Sequence, residues 1–111
     1  MGTIADGVDF DVIAREWRCK WSEDNDKKSL KEAQEKLTKI LSDLKGIDGC
    51  KSVHRVVCGG NLDFKVTSIS AEKFGAWSES EFEPEKTFLK ELSAIDGIDT
   101  VETQTYTFVE M

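Results

Sequence analysis

Hydrophobic and polar residues alternate from Val12 onward. Ile13, Arg15, Trp17, Cys19 and Trp21 fall on one side of an extended chain, and Val12, Ala14, Glu16, Arg18 and Lys20 on the other. A period of two predicts a half-buried strand with the tryptophans inward. At Ser22–Asp26 the pattern changes: these side chains can accept backbone N–H groups, and carboxylates suit the positive end of a helix. Leu30, Ala33, Leu37, Ile40, Leu41 and Leu44 then recur at helical spacing, so an amphipathic helix is expected, stopped by Gly46. Ser52–Cys58 and Leu62–Ile69 return to strand character. The turn between them is Gly59-Gly60-Asn61, whose glycines are expected to supply the positive φ of a tight reversal. Residues 71–83 are irregular, with a short helical turn expected around Phe74 and Trp77. Pro84 suits the first position of a second helix. Phe88, Leu89, Leu92 and Ile95 form that helix's apolar stripe, Gly97 ends it, and Val101–Val109 reads as a last strand.

The order β-α-β-β-α-β predicts a ferredoxin-like α+β sandwich. Right-handed crossovers then select a four-stranded antiparallel sheet of order 4-1-3-2 with both helices on one face. Residues 1–11 show little periodicity and are expected to be a flexible leader; residues 12–111 form the single domain. Two segments echo each other, LKGIDGCKSV at 44–53 and LSAIDGIDTV at 92–101. Each joins a helix end to a strand through Ile-Asp-Gly. If Val101, Thr103, Thr105, Thr107 and Val109 point inward, Tyr106 and Phe108 lie on the open sheet face, where exposed aromatics mark a protein contact.

Charge narrows the partners. With 15 Lys+Arg against 22 Asp+Glu, the chain carries −7 and repels phosphate backbones, so direct nucleic-acid binding is not expected. No apolar run reaches the ~18–20 residues of a membrane span, and the first residues lack a charged-then-apolar signal pattern. Three cysteines (Cys19, Cys50, Cys58) without a C-x-x-C pair read as reduced thiols of a cytoplasmic protein. His54 and Cys58 lie four apart on one strand, ~13 Å from one another, too far to share a proton. Cys50, in the preceding turn, does not converge with them on a metal. The acids around Glu23–Asp26 lack the ligand spacing of a calcium loop. A non-enzymatic protein without metal or cofactor is expected.

At Lys20–Leu30, KWSEDNDKKSL, the chain resembles the guanine-nucleotide exchange domain of the beta subunit of translation elongation factor 1, with Trp21, Asp26 and Leu30 at the family's spacing. GNLDFKVT (60–67), LSAIDGIDTVE (92–102) and Phe108 near the C-terminus extend the likeness, while Glu110 stands where the eukaryotic family has Lys. The resemblance implies a domain that grips a GTP-binding elongation factor subunit and promotes GDP release, binding the empty GTPase better than the loaded one. Its contact surface would include Gly59, Gly60, Asn61, Tyr106, Phe108, Glu110 and Met111. GGNLDFKV (59–66) and GIDTVETQTYTFVEM (97–111) are also similar to the ligand-sensing domain of leucine-responsive (feast/famine) regulators. That second resemblance implies a stand-alone homodimeric ligand-binding module, or an enzyme, of the dimeric α+β barrel type, using the open sheet face.

Overall fold

The computed structural model of the chain describes residues 2–10, 12–70, 74–107 and 109. Nine elements follow in order: β1 (Gly2–Ala5), β2 (Val8–Phe10), β3 (Ile13–Lys20), α1 (Asp24–Lys45), β4 (Cys50–Cys58), β5 (Asp63–Ser70), α2 (Phe74–Glu79), α3 (Glu85–Ser93) and β6 (Asp99–Thr107). Strands β4, β5, β3 and β6 lie side by side in that order, every pair antiparallel. Numbered within the βαββαβ unit this is the expected 4-1-3-2 order, and the fold is ferredoxin-like.

The inner face of the sheet is built from the alternation of the central strands. Trp17 and Cys19 of β3 and Phe64 and Val66 of β5 are buried, each 1–2% exposed. They meet Ala33, Leu37, Ile40 and Leu44 of α1 and Phe88 and Leu92 of α3 in one core. Trp77 of α2 completes it, its ring centroid 6.4 Å from that of Trp17. One charged pair sits at the rim of this core. Glu85 Oε1 accepts from Trp17 Nε1 at 2.6 Å and from Arg15 Nε at 2.7 Å, while the Arg15 guanidinium lies 4.1 Å over the Phe82 ring. The pair fastens the start of α3 to the central strand.

The Ile-Asp-Gly echo is a structural repeat. Ile47 N–H bonds to Leu44 O and Ile95 N–H to Leu92 O; Cys50 N–H then bonds to Ile47 O, and Ile98 N–H to Ile95 O. Both turns end on a left-handed glycine, Gly49 at φ 89° and Gly97 at φ 96°. Gly49, not Gly46, is therefore the conformationally required residue after α1; Gly46 is right-handed at φ −81°. Gly97 is doubly constrained, because a Cβ there would stand 3.0 Å from Ser29 Cβ. Ser29 cannot withdraw cheaply, since its Oγ accepts from Ser22 N–H at 2.9 Å and donates to Ser22 O at 3.2 Å. Gly97→Ala is expected to cost about 1–3 kcal/mol, measured as a shifted urea midpoint. A variant as stable as the parent would contradict this account.

Two local expectations are corrected. Neither Gly59 nor Gly60 takes a positive φ; Leu62 does, at 60°. The reversal is held from the sheet instead, as Leu62 O accepts from Trp21 N–H and Asn61 O from Lys20 Nζ, both at 3.0 Å. Helix α1 opens irregularly: Asn25, Asp26 and Lys27 are left-handed, so the regular helix begins after them. The leader also carries a hairpin of its own, β1 paired with β2 and separate from the four-stranded sheet. Its strands are too short, and its turn too local, to leave a readable period.

Candidate functional site

The helices lie on one side of the sheet; among the described residues no helix covers the other face, whose residues follow from the strand register. Four rows cross it. Tyr106, Ala14, Ile69 and Ser52 form the first, and Gln104, Glu16, Thr67 and His54 the second. Glu102, Arg18, Lys65 and Val56 form the third, and Asp99, Lys20, Asp63 and Cys58 the last. In the first two rows the β3 residues are covered: Ala14 is fully buried and Glu16 only 5% exposed. Val56, on the edge strand, remains 51% exposed.

Charges on this face are interleaved rather than pooled. Arg18 Nη1 lies 3.5 Å from Glu16 Oε2, and Arg18 Nε 3.8 Å from Glu102 Oε1. Lys20 hydrogen-bonds the Asp63 carboxylate and holds its pKa below the usual carboxylate range. Arg18, Lys20 and Lys65 thus nearly balance Glu16, Asp63, Glu102 and Asp99, although the whole chain carries −7. A shallow hollow of about 240 Å³ opens among Arg18, Lys20, Asp63, Lys65, Thr100 and Glu102. By contrast, the crevice between sheet and helices, lined by Leu44, Ile47, Cys50, Ser68, Ser70 and Trp77, has no room for a water molecule.

Among the described residues, those expected to bind a partner do not form one patch. Tyr106 stands on the open face in the first row, opposite Ala14, as the inward-threonine reading of the last strand requires. The turn Gly59–Asn61 lies beyond the fourth row, six residues away along the strands, or ~20 Å. Phe108, Glu110 and Met111 fall outside the described residues. His54 and Cys58 occupy different rows, and His54 Nε2 lies 3.0 Å from Ser52 Oγ. Among the described residues no group of three metal-ligating side chains converges, and no helix is long and apolar enough to cross a membrane. Glu16 was not among the expected site residues. Its signal was a carboxylate at the centre of the strand with the strongest apolar alternation.

Cys19 lies behind the fourth row. Burial, with Asp99 and Asp63 nearby, pushes its thiol up to about 11 from the ordinary 9.0. A raised folded-state pKa means that the stabilisation is whole below pH 9 and is lost as pH rises through 11. The unfolded chain releases the Cys19 proton first. The expected loss is up to about 2–3 kcal/mol, read as a falling urea midpoint between pH 8.5 and 11. Cys19→Ala should flatten that part of the profile; an unchanged slope would refute the assignment.

No protein-family model matches the sequence, and no curated protein matches it significantly. Solved structures do match, across nearly the whole chain. One is a Deinococcus radiodurans protein named as a candidate antibiotic biosynthesis monooxygenase, at 14% identity and TM-score 0.67, covering 89% of this chain and 94% of that one. Another is SnoaB, a cofactor-independent oxygenase from Streptomyces nogalater, at 12% identity and TM-score 0.62, covering 91% and 96%. A third is a dimeric ferredoxin-like protein of unknown function from Thermobifida fusca, at 13% identity and TM-score 0.60, covering 87% and 91%. At such identities the likeness establishes the ferredoxin-like fold.

The comparisons overturn both resemblances drawn from short motifs. The whole-chain likeness runs to monooxygenase-like ferredoxin folds, not to the elongation factor exchange domain or the leucine-responsive regulators. A role in translation or nucleotide exchange, and an elongation factor partner, are withdrawn with them. The misleading stretches are a glycine turn before a strand and a helix end before a strand, which any βαββαβ chain must contain. The Trp21–Leu30 spacing reflects the end of a central strand and the first buried turn of α1.

Proposed function

We propose that the chain is a cytoplasmic homodimeric module of the dimeric α+β barrel type, in which two open sheet faces meet and enclose a small charged ligand. The observation that carries this reading is the near-balance of charge on the open face. Two copies at −7 each repel one another over most approaches, yet here each presents alternating acids and bases that a two-fold axis can set against one another. The buried Ala14 and Glu16 make the centre of the face ordered and ready to pack. The dimeric Thermobifida fusca protein of the same fold supports the same assembly. Three free cysteines fit a reducing compartment.

The hollow beside Arg18, Lys20 and Lys65 would be roofed by the second copy. Its mixture of cations and carboxylates suits a ligand with both signs of charge, such as a small amino acid. Light scattering on a size-exclusion column tests the assembly: the expected mass is twice the 12.5 kDa of one chain. A single-chain mass at tens of micromolar protein would overturn it.

A further inference from the structure

We propose that the β1–β2 hairpin is an arm that docks on edge strand β4 of a second copy, an inference that rests on the dimer reading above. The hairpin pairs only with itself, and a two-stranded ribbon alone is marginal in water. It is amphipathic. Thr3 Oγ1 donates to Asp9 Oδ1 at 2.7 Å on one side, while Ala5 and Val8 share the other. Ile4 is 65% exposed, the largest value among the exposed large hydrophobic side chains of the described residues, and Val8 is 51% exposed. The molecule is correspondingly drawn out, with extents of 48 × 27 × 18 Å and a radius of gyration of 14.9 Å, against about 13 Å for a compact domain of this size.

The surface that complements the arm is β4. Among the described residues its outer edge has no strand beside it, and it carries Val56 on the open face and Val57 on the helix face, 51% and 40% exposed. Lys51, His54 and Arg55 make β4 the one strand of the four with bases and no carboxylate, whereas the described charges of the arm, Asp6 and Asp9, are acidic. A chain's own arm is at the wrong end. It leaves the sheet at Ile13, level with Ser70, while Val57 is level with Phe64, which pairs in turn with Cys19, six residues or ~20 Å away. A two-fold axis between the faces and across the strands reverses the partner, bringing its Val57 end over the arm.

Area points the same way. Four strands of eight or so residues make a face of roughly 500 Å², short of the ~800 Å² per partner of a standard interface. The arm supplies the remainder, and the free edge of β4 offers it backbone partners.

Sedimentation velocity over a dilution series of the full chain reads the arm directly. Ile4→Asp with Val8→Asp, both exposed and harmless to folding, is expected to raise the dimer dissociation constant at least tenfold. Asp6→Arg and Arg55→Glu should each weaken the dimer about threefold or more, and the two together should restore it to within about twofold. Amide exchange of residues 3–5 and 8–10 should slow as protein concentration rises. If the arm variants leave dissociation unchanged while the parent is dimeric, the arm is wrong and the open-face dimer stands. If the parent is monomeric at every concentration, the dimer reading falls and the arm with it.

Discussion

Trp17→Ala is expected to lower the free energy of unfolding by about 3–5 kcal/mol, a large share of the 5–15 kcal/mol typical of a domain. Trp17 is 1% exposed at the middle of the central strand. Its ring lies 5.3 Å from Phe88 of α3 and 6.4 Å from Trp77 of α2, so truncation opens a void against both helices. Its indole N–H also donates to Glu85, and two further variants separate packing from hydrogen bonding. Trp17→Phe retains most of the buried area and leaves Glu85 still paired with Arg15, so the expected cost is only about 1–2 kcal/mol. Glu85→Ala leaves an indole donor and a guanidinium, the latter 14% exposed, without their acceptor, at an expected cost of about 2–4 kcal/mol. Urea titration followed by far-ultraviolet circular dichroism measures all three. A Trp17→Phe cost equal to that of Trp17→Ala would mean that the hydrogen bond, not the ring, holds the core.

The elements that read correctly from sequence are those whose burial is periodic. Trp17, Cys19 and Trp21 at spacing two, and Ala33, Leu37, Ile40 and Leu44 at helical spacing, are the residues that the fold buries. Where backbone geometry depends on tertiary tethers, composition misled. Gly59-Gly60 looks like a left-handed reversal, but the positive φ falls on Leu62, whose carbonyl accepts from Trp21 N–H. Gly46 does cap the helix, as expected, but in a right-handed conformation; the left-handed glycine is Gly49, at the end of the Ile-Asp-Gly turn. The repeated turn itself was legible, because both copies meet the same demand of turning from a helix into an adjacent strand.

The open face was legible only in part. Alternation placed Tyr106 on it, and the central position of Glu16 on β3 marked that residue but not its burial. Its cross-strand neighbours are Gln104 on one side and Thr67 on the other, forty or more residues distant in sequence. The arm was missed for a related reason. A four-residue and a three-residue strand contribute too few positions for a period, and their pairing shows only in three dimensions. Family motifs misled for the opposite reason: turn glycines and strand starts are demanded by the fold, so they recur in chains of unrelated function.

Thr67→Arg is expected to raise the dimer dissociation constant by at least 100-fold, about 3 kcal/mol, while the fold persists. Thr67 is half-buried in the second row of the open face, between Glu16 of β3 and His54 of β4. In a lone chain the longer side chain can rise into water and reach Glu16, so the intrinsic penalty is the strand-propensity difference, within ~1 kcal/mol. In the face-to-face pair the same side chain has nowhere to go. The two-fold axis brings two bulky cations into the packed centre, and each must either lose its water or hold the sheets apart. Gly60→Ala is the matched control at the far end of the sheet. A Cβ there meets nothing within 4 Å, and the backbone is not left-handed, so neither stability nor assembly should change. Light scattering and circular dichroism on the two variants distinguish the cases. A Thr67→Arg protein that stays dimeric would move the interface off this face, whereas one that unfolds would show that the face is part of the core rather than a surface for another molecule.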